Sequence, residues 1–278
     1  MKKQKPPIPA IAAESFLIDS HCHLDMDCYK EDLGEILARA NAHGIQSIIT
    51  IGIDEKSSIE AVKLAQTHSM VKATVGIHPH DVEKTDSTTY NRLIDLASNN
   101  RAHVVGYGEI GLDYAKQYAE QAIQRKAFRE QLEIAKSLEL PVIVHDRDAH
   151  DDCLVILLES GPFPNGGVMH CFSGDLHFAE QIIDMGFLIS IPGVVTFKNG
   201  KELQTVASKM PLQSLILETD GPFLTPDPWR GKRNEPSYLL YTAQMVAKLQ
   251  GQTIEEIADQ TSKNVQKLFK YKVEQQLS

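Results

Sequence analysis

The chain has 278 residues, 42% hydrophobic and 23% charged, with 17 Gly and 13 Pro, proportions that exclude disordered, collagenous and low-complexity classes. Its 28 basic and 37 acidic residues leave a net charge of -9. That excludes a generally basic nucleic-acid-binding surface and keeps a nucleic-acid enzyme open only where bound metal supplies local positive charge. Residues 1–15 (MKKQKPPIPAIAAES) read as a flexible tail, because the apolar run Pro6 to Ala13 is short and proline-rich and lacks the helical core of a secretory signal. No stretch reaches the roughly 18 apolar residues of a spanning helix, so no membrane partner is expected. Cys22, Cys28, Cys153 and Cys171 form no CxxC pair and read as reduced thiols of a cytoplasmic protein.

From residue 16 to 278 one rhythm persists, and a single domain is expected. Runs rich in β-branched residues predict strands at Phe16–His21, Ser47–Gly52, Val71–His78, Val104–Gly111, Pro141–Asp146, Gly167–Phe172, Phe187–Pro192 and Leu215–Asp220. Helical periodicity falls between them, at Glu31–Asn41, Lys56–Thr67, Thr88–Asn99, Glu120–Leu138, Ala149–Ser160, Leu176–Met185 and Gly200–Lys209. Two more helices are expected near Ser237–Leu249 and Ile254–Phe269. Strands that alternate with helices in this number predict an α/β fold, a closed (β/α)8 TIM barrel. A doubly wound open sheet would usually carry a Gly-rich phosphate loop after its first strand, and here that strand runs into Asp19-Ser20-His21-Cys22-His23.

A barrel of this kind gathers its chemistry at the carboxyl ends of its strands. Those ends present His21 and His23, then His78, Glu109, His145, His170 and Asp220. In an extended chain residues i and i+2 point to one side, so His21 and His23 can reach one metal ion. Glu109 has two oxygens and can bridge two ions. A mixed histidine and carboxylate set without cysteine suits a catalytic transition-metal site. Cys22 and Cys171 should face away from their ligand neighbours. His43, His68, His103, His150 and His177 lie away from strand ends and read as structural or solvated.

These motifs together resemble the TatD family of metal-dependent hydrolases. The resemblance rests on Ile18-Asp19-Ser20-His21-Cys22-His23-Leu24-Asp25, Val75-Gly76-Ile77-His78-Pro79-His80, Gly108-Glu109-Ile110-Gly111-Leu112-Asp113-Tyr114, Pro141-Val142-Ile143-Val144-His145, Met169-His170-Cys171-Phe172-Ser173-Gly174, Leu217-Glu218-Thr219-Asp220-Gly221-Pro222 and Arg230-Gly231-Lys232-Arg233-Asn234-Glu235-Pro236. It implies a deoxyribonuclease, of the exonuclease kind, that cleaves DNA with metal-activated water. It also implies one or two divalent ions (Zn, Mn or Mg) on His21, His23, Glu109, His145, His170 and Asp220. Asp220 and Glu109 would be catalytic, Asp220 by accepting the water's proton, and His78 would contact substrate phosphate. The alternative is a metal-dependent amidohydrolase or esterase, or a deacylase acting on charged RNA.

The family often carries a second aromatic where Ala115 stands and Ser-Arg where Asp146-Arg147 stand; an extra acid near the site could repel a phosphate. Arg230, Lys232 and Arg233 form a basic cluster after the last strand, and Arg230 is a substrate-binding candidate. Trp229 beside it could stack on a base or pack the loop onto the barrel.

Overall fold

A computed structural model describes residues 7–116 and 118–273. Its strands, in chain order, are β1 Leu17–Cys22, β2 Ile45–Ile51, β3 Val71–Val75, β4 Val104–Asp113, β5 Val142–Arg147, β6 Gly167–Met169, β7 Phe187–Ile191 and β8 Leu215–Leu217. The helices are α1 Leu33–Ala42, α2 Glu55–Thr67, α3 Ser87–Asn99, α4 Gln121–Ser137, α5 His150–Ser160, α6 Leu176–Asp184, α7 Lys201–Lys209, α8 Leu239–Gln250 and α9 Ile254–Leu268. All strand pairs are parallel and follow chain order from β1 to β8. The sheet curls until its ends meet just beyond β1 and β8: Asp220 N–H donates to His21 O at 2.9 Å, and His23 N–H to Gly221 O at 2.8 Å. The Asp19 carboxylate adds a side-chain latch, accepting from Thr219 N–H at 2.9 Å and Thr219 Oγ1 at 2.5 Å. The expected (β/α)8 barrel is the fold. Among the described residues no helix is long and apolar enough to cross a membrane.

Strands covered on both faces must be apolar on both. Ile18, Ile49, Ile51, Val105, Ile143, Val168 and Ile216 fill the inside of the barrel, and Val265, Leu268 and Phe269 at the end of α9 pack against them. The outward set, including Leu17, Ile48, Val71, Val142, Val144 and Leu215, packs under the helices. Ile51 is fully buried, and truncating such a side chain to Ala costs about 2–5 kcal/mol. Caps set several helix starts. The Asp54 carboxylate accepts from Ser57 N–H before α2, and Thr253 and Glu256 cap α9 reciprocally.

Several strand ends differ from expectation. β6 and β8 stop at Met169 and Leu217, because the chain turns at Cys171 (φ 46) and Asp220 (φ 53), left-handed conformations that a strand cannot contain. β4 runs on to Asp113, past the expected end at Gly111. Gly111 permits this: its φ is 142, and a Cβ there would stand 2.0 Å from the His145 carbonyl oxygen. Of the expected tail, residues 1–6 lie outside the described residues. Residues 7–15 contain no helix or strand, yet Ile8 and Ile11 pack against the core and Ala12 N–H donates to Glu255.

Candidate metal centre

Every predicted ligand lies at the carboxyl end of the barrel. On β1 the local folding is not simple alternation. Ile18 points into the barrel, and strict alternation from there would turn His21 outward. A register shift between Asp19 and Cys22 against β2 re-aims the chain, so that His21 and His23 face inward while Cys22 joins the outer core. On β5 alternation is regular: Ile143, His145 and Arg147 share the inward face, and Val142, Val144 and Asp146 the outward one. Glu109 comes from β4, His170 directly follows β6, and Asp220 lies three residues past β8.

Glu109 is the centre of the arrangement, 3% exposed. Its Oε2 lies 3.5 Å from His21 Nε2 and 4.0 Å from His23 Nε2. Asp220 Oδ1 closes that side, 3.4 Å from His23 Nε2 and 3.8 Å from His21 Nε2. The other oxygen, Oε1, lies 2.6 Å from His145 Nδ1, 3.1 Å from His170 Nε2 and 3.7 Å from His78 Nε2. One carboxylate therefore presents an oxygen to each of two imidazole groups. The groups are adjacent, since the His21 and His170 rings stack with centroids 3.6 Å apart.

The second group is backed by further carboxylates. His145 Nε2 lies 3.2 Å from Asp113 Oδ2, which also holds His80 Nε2 at 2.9 Å. His170 Nδ1 lies 3.1 Å from Glu218 Oε1, and Cys171 N–H donates to the same oxygen at 2.9 Å. Such partners fix which ring nitrogen faces inward.

The electrostatics follow from this crowding. Burial, then the charge of His170, pushes His21 down to about 3, so its ring is neutral and offers a lone pair. Burial, then His145, also takes His78 well below the usual imidazole range. Burial opposes charge on Glu109 too, but His170, His78 and His145 hold it well below the usual carboxylate range. Against the same burial, hydrogen bonds to Asp113 and Glu109 hold His145 up at about 9, and Glu218 and Glu109 raise His170.

The residues fit a divalent metal. Both nitrogens of His21 and Nδ1 of His23 are buried with no hydrogen-bond partner, a state that is costly for a polar group without a ligand. Four carboxylates, Glu109, Asp113, Glu218 and Asp220, are buried around the histidines and call for positive charge. Ligand atoms of His21, His23 and Asp220 lie within 4.8 Å of one another, as do those of His78, Glu109 and His145. His21, His23, Asp220 and Glu109 Oε2 would hold one ion; Glu109 Oε1, His145 and His170 would hold a second. The backbone of Asp220 (φ 53) is in a region costly for a non-glycine residue, as often found at functional sites.

All six predicted ligands thus come together, with His78 beside them. Arg230 stands farther out on the rim, exposed, its guanidinium carbon 4.2 Å from the Phe197 ring centroid. Three expectations are settled differently or more narrowly. Asp146 does not reach the site: it faces outward and binds His150 Nδ1 at 2.7 Å. Trp229 packs the loop, stacking on Tyr238 and donating to Tyr241 OH at 2.9 Å. Arg233 is neutralised by Asp32. Asp113, Glu218 and His80 also belong to the site, although strand-end position alone does not assign them to it. Their signals were in the chain: Asp113 is four residues beyond Glu109 on one strand face, Glu218 two before Asp220, and His80 two beyond His78.

The model of the family described as TatD related DNase matches residues 18–270. An uncharacterized metal-dependent hydrolase of Bacillus subtilis (strain 168), YabD, is 40% identical over 254 residues, 91% of this chain and 99% of that one. A Salmonella typhimurium protein named 3'-5' ssDNA/RNA exonuclease TatD is 34% identical over 262 residues, 91% of this chain and 98% of its own length. The crystal structure of YJJV, a TatD homologue from Escherichia coli K12, superposes with a TM-score of 0.88 at 32% identity, covering 92% of this chain and 98% of that one. With the Glu109-centred cluster at the mouth of the same barrel, this chain belongs to the TatD family of metal-dependent hydrolases.

Proposed function

We propose that the protein is a deoxyribonuclease of the exonuclease kind, hydrolysing phosphodiester bonds of DNA. The observation that carries the reading is Glu109, whose two oxygens serve two adjacent ligand groups. Paired divalent ions held there would lower the pKa of water from about 15.7 toward neutrality and offset charge on phosphoryl oxygens. Asp220, whose Oδ1 lies 3.4 Å from His23 Nε2 in the first group, would orient the attacking water and accept its proton. His78, neutral beside Glu109, offers a contact for phosphate. Arg147 shares the inward face of β5 with His145 and is exposed, and among the described residues its guanidinium has no ion-pair or hydrogen-bond partner. It and Arg230 are the cations offered to substrate phosphates. The name of the Salmonella relative supports a nucleic-acid substrate. The four cysteines are free, in keeping with a reducing cytoplasm.

The test is turnover of labelled single-stranded DNA with divalent metal supplied, beside panels of carboxylic esters and amides. Faster hydrolysis of DNA supports the reading. Hydrolysis of an ester or amide with DNA left intact overturns it in favour of an amidohydrolase or esterase.

A further inference from the structure

Among the described residues the exposed large hydrophobic side chains include four aliphatic ones on the outer helices: Ile59 on α2, Ile123 on α4, and Val155 and Leu158 on α5. The two aromatic ones lie elsewhere, at the mouth of the barrel. Phe223, 49% exposed, follows Asp220-Gly221-Pro222 and meets the His23 ring edge-on, with centroids 6.1 Å apart and planes at 71°. Tyr118, 63% exposed, lies in the loop between β4 and α4 and meets the His80 ring edge-on at 4.7 Å. His23 belongs to the ligand group on Glu109 Oε2. His80 is bonded through Asp113 to His145, in the group on Oε1. One exposed aromatic ring thus stands beside each half of the centre.

We propose that Phe223 and Tyr118 are base-stacking surfaces on either side of the scissile phosphodiester. The inference rests on the reading of the site as a phosphodiesterase. In a duplex both faces of each base are covered by neighbours, whereas a single strand can offer a splayed base to an aromatic ring. Every base has such a face, so the grip tolerates any sequence. The chain's net charge of -9 leaves little scope for binding a strand by its phosphates alone. Stacking supplies affinity without adding cations, and two rings flanking the metal cluster would also hold the strand in line across it.

The experiment compares a labelled oligodeoxynucleotide with the same strand carrying abasic residues at both ends, in the presence of manganese. The proteins are the parent, Phe223→Ala, Tyr118→Ala, and the conservative Phe223→Tyr and Tyr118→Phe. Each stacked base contributes roughly five- to a hundredfold in affinity. The parent is expected to show a KM at least fivefold lower for the intact strand than for the abasic one. Each alanine variant should shrink that ratio, and the conservative variants should retain it. An unchanged ratio in both alanine variants, or no discrimination by the parent, overturns the stacking role and leaves the phosphodiesterase reading standing. Failure of the parent to cleave either strand overturns both.

Discussion

The Nε2 of His145 lies 3.2 Å from Oδ2 of Asp113, and the same imidazole presents its Nδ1 to Glu109 at 2.6 Å. Asp113 therefore holds the ring from behind while the opposite nitrogen faces the centre. Glu218 does the same for His170. Replacing a carboxylate that orients a ligating histidine typically lowers metal affinity about 10–100-fold. Asp113→Asn is expected to lose affinity in that range, read by calorimetric titration of the metal-stripped protein with zinc. An unchanged binding constant would mean that Asp113 orients no ligand.

His21 and His23 lie on the Oε2 side of Glu109, within 4.0 Å of it. Removing both imidazoles from that side leaves Asp220 and one oxygen of Glu109. Elemental analysis of His21→Ala with His23→Ala should show most of the metal on that side gone. The same metal content as the parent would move the site elsewhere.

Stability should respond to acid through a pair outside the centre. Arg39 holds Glu235 in the loop after β8 by two hydrogen bonds, Nε to Oε1 at 2.7 Å and Nη2 to Oε2 at 2.8 Å. Burial alone would raise Glu235, but Arg39 and Ser237 hold its carboxyl below the ordinary 4.5. A carboxyl whose folded pKa is depressed stabilises the fold fully above its unfolded pKa, and that contribution fades as pH falls through the folded value. The denaturant midpoint of the parent should therefore drop on acidification from about pH 5, and Glu235→Gln should drop less steeply. Arg39 is 38% exposed, so solvent screening keeps the effect modest. Parallel pH profiles for the two proteins would exclude the pair as a contributor.

Asp220→Asn isolates proton handling from folding. Asn keeps the size of the side chain and one carbonyl oxygen, but it cannot accept a proton at neutral pH. The backbone there (φ 53) tolerates Asn well. Turnover at saturating metal should fall about 10²–10⁴-fold, with the melting temperature near that of the parent. Near-parental turnover would assign the base to Glu218 or Glu109 instead.

Much of this was legible in the residues. The alternation of β-branched runs with helical segments marks every strand, and the polar residues at their ends mark the six side chains that converge at the mouth of the barrel, because a barrel leaves few reasons to place histidine at the end of an apolar strand. What escaped did so for local reasons. Gly111 reads as a strand end, yet its φ of 142 carries β4 onward and brings Asp113 beneath His145. The register shift near Asp19, which aims His21 inward, leaves no mark in composition. Asp146 looks like an intruding acid until strand parity turns it toward His150. The partners of Trp229 and Arg233, Tyr238 and Tyr241 for one and Asp32 for the other, are set by how the last loop folds back, which spacing does not reveal.

The most direct measurement is digestion of labelled single-stranded DNA by the chelator-stripped protein as manganese is restored, for the parent and for Glu109→Ala. A shared carboxylate between two ligand groups predicts no digestion in chelator, full recovery with manganese in the parent, and no recovery in Glu109→Ala at any manganese concentration. Digestion that persists in chelator, or a Glu109→Ala variant that recovers fully, would contradict a metal centre built on Glu109.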